Sequence, residues 1–257
     1  MTDRNAPDGP TRLLVLNPNI STSVTDLIEA EARRSARPNT VLTFATAAAG
    51  VAYIETRFEA MLGAHAVTEM AAGQADGHDA VVVAAFGDPG VPALRELLAV
   101  PVIGLTEAAL ATASLLGQRI GIVAISRRIQ AWYREVIECY GFGARLAGIR
   151  ALDRPLSGPG TVQQEHGEAL VALADAAVQE DGADVLILAG APLAGLARSV
   201  AHRLPVPVVD GVSCAIRQAQ LLADLQPIKA RAGSYSRPPA KSHQGLSQAL
   251  TRQLGRR

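Results

Sequence analysis

AVVVAAFGDPG, running from Ala80 to Gly90, is the stretch whose reading decides the fold. A continuous run of valine and alanine suits a strand covered on both faces, and such strands belong to parallel sheets flanked by helices. Its FGDPG end is turn chemistry leading into a helix. The same arrangement recurs at DVLILAGAPLAG, Asp184 to Gly195. Each copy is followed by a short helical pattern and then by a proline-led apolar run, PVIGL from Pro101 and PVVDGV from Pro207. Ala85 then falls within one residue of the counterpart of Gly190. The chain reads as two related α/β halves, each offering a loop at the carboxyl end of a strand, where open parallel sheets bind ligands.

Outward from this pair the alternation continues. RLLVLN (Arg12 to Asn17), TVLTFA (Thr40 to Ala45) and RIGIVAI (Arg119 to Ile125) read as further strands. Amphipathic segments at Ser23 to Ser35, Ile54 to Gln74, Pro92 to Leu98, Arg128 to Tyr140 and Val162 to Glu180 read as helices. The expectation is an α/β protein of two pseudo-symmetric Rossmann-like half-domains with parallel sheets. The first half is expected at 12–105, with 215–257 as its C-terminal wrap, and the second at 106–214.

Charge balances at 24 basic against 24 acidic residues, which leaves no electrostatic footprint for nucleic acid or an anionic membrane. The polar start MTDRNAPDGPTR lacks the apolar core of a secretory signal, and no long apolar run is free of charge, so a cytoplasmic protein is expected. Cys139 and Cys214 are too few for a disulfide framework, and no histidine falls at metal-ligand spacing, so a zinc site has no sequence support. The expected partner is a small-molecule substrate, with a homo-oligomer possible.

Seven segments in order, VLNPNISTSVT, GVAYIETRFEA, FGDPG, GLTEAAL, EDGADVLILAGAPLAGL, PVVDGV and GSYSRPPAK, resemble the hydantoin racemase family of the aspartate/glutamate racemase superfamily. The resemblance implies two half-domains with an active-site cleft between them, no cofactor, and a cysteine from each half facing the substrate's stereogenic carbon, one removing a proton and the other returning it. It places those cysteines at Ala85 and Gly190. Neither a methyl nor a hydrogen moves a proton, so two-thiol racemisation is in doubt at its centre. A relative that decarboxylates arylmalonates keeps one of the two cysteines, so the scaffold supports other chemistry. A laboratory Cys→Ala change would account for Ala85, but glycine at 190 points to natural divergence. The expected activity is isomerisation, cyclisation, decarboxylation or elimination of a small cyclic amide or carboxylate through an enol-like intermediate. A non-catalytic small-molecule binder and a cysteine-free variant of a conventional racemase are the alternatives.

The remaining candidates form an electrostatic cradle. Asn19, Ser21 and Thr22 stand where a strand enters a helix, and their donors suit a carboxylate or imide oxygen, although Ser21 to Ser23 also suit capping. Ala85, Phe86 and Gly87 in one loop, and Gly190 and Ala191 in the other, are expected to offer free backbone N–H groups to a developing enolate, and the missing thiols to leave room for a larger substrate. Asp88 is a replacement acid or base, or more simply the cap of the helix starting near Gly90. Glu55 is the other catalytic candidate, or else complements a helix dipole from the first turn, with Tyr53 beside it as a donor. Thr106 and Asp210 are assigned to substrate binding, with Glu107 and Asp210 read as standing in the equivalent second loops of the two halves, where either also suits bracing a turn. Ser126 is a further oxygen contact. Cys214 and Cys139 read as packing residues, the loop Leu152 to Thr161 as a border of the pocket, and the basic tail as a structural wrap.

Overall fold

In the computed structural model the chain is described over residues 9–154 and 156–255; the polar start at 1–8 and Pro155 of the loop at 152–161 lie outside the described residues. Eight strands fall into two parallel sheets. The first contains β1 (Thr11–Asn17), β2 (Thr40–Thr46), β3 (Ala80–Val83) and β4 (Val102–Gly104) in the order β2-β1-β3-β4. The second contains β5 (Ile120–Ala124), β6 (Leu146–Ala151), β7 (Val185–Leu188) and β8 (Val208–Asp210) in the order β6-β5-β7-β8. The orders match strand for strand, so the expected α/β class with two pseudo-symmetric halves is the fold the chain adopts. Equivalence extends to single bonds: the Ala84 N–H meets Leu16 O at 2.8 Å, and the Ala189 N–H meets Val123 O at 2.8 Å. This register makes Gly190 the direct counterpart of Ala85, each two residues past its strand.

All four residues of β3 and of β7 are buried, as their apolar runs require. The structure adds β6, a strand that the sequence pattern does not announce. It is an edge strand of half-buried residues, and Gly148 and Arg150 interrupt its apolar run. Arg150 compensates by pairing with Glu180 and Asp181.

The crossovers are α1 (Thr22–Ser35), α2 (Arg57–Gln74), α3 (Val91–Leu97), α4 (Leu105–Ser114), α5 (Gln130–Cys139), α6 (Val162–Gln179), α7 (Leu196–Val200) and α8 (Gly211–Leu225). The C-terminal segment ends in α9 (Gln248–Leu254), which packs on α2 through Leu250. Alternate β1 and β3 side chains divide between two cores. Leu14, Leu16, Val81 and Val83 meet α2, α3 and α9, whereas Leu13, Val15 and Val82 join the core continuous with the second half. α4 and α8 pack on each other at the seam, α4 reaching β7 and α8 reaching β3. The close approach there excludes a side chain at Gly211, whose β-carbon would sit 2.8 Å from Leu105 Cβ.

Both loops end alike. Gly90 and Gly195 cap α3 and α7 in left-handed conformations with φ of +79° and +80°, a region that favours glycine. The next turns differ. In the second half Asp210 caps its own helix α8, accepting the Ser213 N–H at 2.9 Å. In the first half the equivalent position is Gly104, and the cap of α4 comes from the loop instead, from Asp88. A β-carbon at Gly104 would fall 2.2 Å from the Asp88 carboxyl carbon, so the two solutions exclude each other. By strand register Asp210 therefore corresponds to Gly104.

A buried ion pair also ties α1 to α7. Glu31 is 1% exposed, and its Oε1 accepts from Arg198 at 2.6 Å and from Ser35 at 2.9 Å. Arg198→Ala strands this carboxylate; the expected loss is about 1–3 kcal/mol by urea denaturation, held down by solvent around the half-exposed guanidinium. Adding Glu31→Gln to that variant is expected to recover part of the loss.

Candidate active site

The carboxyl ends of β1, β3, β5 and β7 converge on one small cavity. Its wall is built by Asn19 after β1, Ala85 and Phe86 after β3, Ile125 after β5, and Gly190, Ala191 and Pro192 after β7. Tyr53 and Ile54 close it from the segment before α2, and Ile129 and Tyr133 close it from the start of α5. The volume is about 30 Å³, room for one or two water-sized groups. The expected extra space for a larger substrate is thus not open in this conformation, because the aromatic side chains lean into it. Hollows of about 500 and 790 Å³ lie elsewhere, beside Pro101, Gln226 and Lys229, where neither strand-end loop reaches. Size alone would point to them, but the paired loops make the smaller cavity the candidate site.

A layer of aromatics covers the first loop. The Phe86 and Tyr133 rings lie 4.7 Å apart between centroids, and Trp132 lies 5.4 Å from Tyr133. Trp132 sits so tightly on Gly87 that a β-carbon there would be 2.3 Å from its ring, and φ of +98° at Gly87 excludes a side chain independently. Gly190 has φ of +107°, so an L-residue there is strained as well.

Asn19 is oriented by its neighbours. Its Oδ1 accepts from the Ser21 N–H at 2.9 Å and from Asn17 Nδ2 at 3.1 Å, while its N–H donates to Asn17 Oδ1. With the oxygen fixed, the amide NH2 has no acceptor among the described residues. The Phe86 and Ala191 N–H groups likewise have no acceptor among the described residues. The Gly87 N–H differs from expectation: Thr106 Oγ1 accepts it at 2.5 Å, so it is not free for an enolate.

Of the other expected residues, Tyr53 lines the cavity, and burial with the nearby Glu55 carboxylate raises its pKa, which keeps the phenol neutral. Glu55 does not line it. It precedes α2, whose N-cap is Thr56, and its N–H donates to Glu59 Oε2 at 2.8 Å, so the helix-turn placement gives way to a capping box beyond it. Ser21 accepts the Val24 N–H as the N-cap of α1, and Thr22 is exposed. Ser126 accepts the Arg128 N–H ahead of α5, leaving Ile125 and Ile129 to face the cavity. Thr106 is fully buried behind the loop, and Asp210 caps α8. The loop at 152–161 meets α1 instead of the cavity, with Gly160 against the Ser23 side chain. Neither cysteine lines the cavity: Cys139 is exposed, and burial pushes the Cys214 thiol up to about 11.

Asp88 is buried behind the loop. Its Oδ1 accepts the Thr106 N–H at 2.8 Å and its Oδ2 the Glu107 N–H at 3.0 Å, so it caps α4 and not the helix after Gly90, which has no side-chain cap. Burial pushes its pKa from 3.8 up to about 6, against the lowering pull of these bonds. Sequence reasoning missed Tyr133, Ile125, Ile129, Ile54 and Pro192. Tyr133 shares a helix face with Ile129, Trp132 and Ile137, so its spacing signals packing.

The family model described as Asp/Glu/Hydantoin racemase matches residues 13–219. The hydantoin racemase of Paenarthrobacter aurescens is 35% identical over 90% of this chain and 99% of its own length. The structure of allantoin racemase from Pseudomonas fluorescens superimposes with a TM-score of 0.86 at 33% identity, covering 91% of this chain and 100% of that one. Allantoin racemase from Klebsiella pneumoniae gives 0.85 at 35% identity, covering 93% and 98%. No helix among the described residues is long and apolar enough to cross a membrane.

Because the Asp88 pKa is raised on folding, its protonated form favours the folded state; the contribution of this group to stability is greatest below 3.8 and is lost as pH rises through about 6. Asp88→Asn is expected to abolish roughly 2–3 kcal/mol of that decline, read as urea midpoints of the two proteins between pH 4 and 7. An identical decline in both would place the titration elsewhere.

Proposed function

Since the chain belongs to the Asp/Glu/hydantoin racemase family, we propose that it is a cofactor-independent enzyme that has exchanged proton abstraction for decarboxylation of a small cyclic amide or related carboxylate. The observation that carries this reading is the character of the cavity wall. It holds the Asn19 amide, two neutral phenols, free N–H groups at Phe86 and Ala191, and apolar side chains, but no thiol, carboxylate or imidazole. Racemisation, enolisation and elimination all begin with a base taking a proton, and this wall supplies none. Decarboxylation needs no base to begin.

In the proposed step the bond between the ring carbon and its carboxylate breaks, carbon dioxide leaves, and the electron pair remains on carbon, delocalised into the adjacent carbonyl. The Asn19 amide and the two N–H groups stabilise that oxyanion, each preorganised donor being worth about 3 kcal/mol. Ile54, Ile125, Ile129 and Pro192 surround the departing carboxylate with apolar surface, which disfavours its charge before the bond breaks. Carboxylated derivatives of hydantoins, the cyclic amides named in the relatives, are the substrate class, and the hydantoin is the product. A ring does not fit a 30 Å³ space, so binding entails outward movement of the Tyr53–Ile54 segment that closes it ahead of α2.

A donor-only wall also suits a protein that binds a planar anion without turning it over; the same assay separates the two. The cysteine-free racemase alternative fares worse, since φ at Gly190 disfavours a cysteine in this backbone. Carbon dioxide release is expected from a 5-alkylhydantoin bearing a 5-carboxylate or from an arylmalonate, with Asn19→Ala lowering kcat/KM about 100-fold. The 5-alkylhydantoin itself is expected to show no Cα–H exchange in heavy water. Rapid exchange without carbon dioxide release contradicts the reading, and tight binding with neither supports the non-catalytic one.

A further inference from the structure

Tyr133 brings a hydroxyl to the cavity wall beside Gly190. The side chain is 3% exposed, yet its hydroxyl makes no hydrogen bond among the described residues. A hydroxyl left free at a cavity wall is available to whatever binds there. Its ring is fixed between Phe86 and Trp132, so the oxygen is aimed and not wandering. The direction is specific: a β-carbon built on Gly190 would lie 3.8 Å from the Tyr133 hydroxyl. The phenol therefore occupies the volume into which a side chain at 190 would project, and a glycine at that position is what leaves the volume to it.

We propose that the Tyr133 hydroxyl is the catalytic proton donor on the Gly190 side of the site, standing where the second half's own side chain would otherwise reach. The inference rests on the decarboxylation reading above. After carbon dioxide has left, the carbanionic carbon takes the phenolic proton as the O–H bond breaks and the C–H bond forms. Solvent then reprotonates the phenolate, so one proton is consumed for each carbon dioxide released. Ala85 offers only a methyl on the opposite wall, and delivery is therefore one-sided. Burial, reinforced by the Asp88 and Glu55 carboxylates, pushes the phenol well above its ordinary value of 10, which keeps it protonated and ready to donate. A buried phenol or carboxylic acid held neutral for donation is an established catalytic device.

The test uses the full-length protein with a 5-alkylhydantoin-5-carboxylate and reads both rate and product handedness. Wild type is expected to give one enantiomer. Tyr133→Phe, which keeps the ring packing, is expected to release carbon dioxide but yield a racemate, because water then delivers the proton to either face. Replacing Tyr133 with a fluorotyrosine, which retains the hydroxyl, is expected to restore the single enantiomer. A purely structural role predicts the reverse pattern: a slower reaction with handedness intact in Tyr133→Phe. That result overturns the proposal.

A second measurement separates this inference from the reaction assigned above. Parabanate, a planar imide anion, is titrated into wild type and Tyr133→Phe, with the tyrosine Cζ resonances followed in labelled protein. Tenfold weaker binding in the variant, with a Tyr133 resonance that moves in wild type, retains Tyr133 as the donor facing the ligand even if no carboxylated substrate is turned over; in that case decarboxylation alone falls. Unchanged affinity with a silent Tyr133 resonance overturns the Tyr133 assignment whatever the reaction proves to be.

Discussion

The site depends on one buried carboxylate. Asp88 leaves the end of β3 in a left-handed conformation, φ +50°, and spends both oxygens on the first N–H groups of α4. Thr106, in the same helical turn, accepts the Gly87 N–H. These three bonds lock the first loop to a helix that packs against the second half, so the position of Ala85 and Phe86 relative to Gly190 is set through α4. The orphan N–H groups at a helix start make the capping bonds favourable, and burial makes their loss expensive. The requirement reaches back to Gly104, where any β-carbon would displace the carboxylate. In the second half Asp210 does the same work from within its own helix, and its loop is free of that duty.

This division of labour explains why the most ionisable residue of the first loop takes no part in the cavity wall. The carboxylate is consumed in holding the loop, and what the loop shows to the cavity is a methyl, a phenyl ring and an amide N–H. Asn19 shows a fixed NH2, and Tyr53 and Tyr133 are held neutral by their surroundings. A wall of neutral donors lined with isoleucine welcomes charge that develops on a substrate oxygen and resists groups that carry charge beforehand. That asymmetry, more than the identity of any one residue, separates this pocket from a thiol-based proton shuttle on the same scaffold.

Much of this was legible in the residues. The valine run at Ala80 to Val83 and its echo at Val185 to Leu188 disclosed two parallel sheets and paired loops, because strands buried on both faces leave a continuous apolar signature. The edge strand Leu146 to Ala151 left no such mark, being only half-buried and broken by Gly148 and Arg150. Ala85, Phe86, Gly190, Ala191 and Asn19 stand at the cavity by their strand-end positions, and Tyr53 was reached through the family resemblance around Glu55. Asp88 was misdirected to its own helix because capping is read locally, whereas its partner turn lies near in space and eighteen residues away in sequence. Tyr133 was invisible for a different reason: on the apolar face of α5 a phenol and a packing ring look the same, and only the absence of a hydrogen-bond partner distinguishes them.

The central claim is that two strand-end loops, held together through α4, present neutral donors to one shared anion position. A crystal structure of the protein with parabanate bound tests it most directly. The account predicts imide oxygens about 3 Å from the Phe86 and Ala191 N–H groups and the Asn19 amide, with the ring between Ala85 and Gly190. An anion bound in the hollow beside Pro101 and Gln226, or a Cys214 thiol swung into the cavity wall, would contradict it.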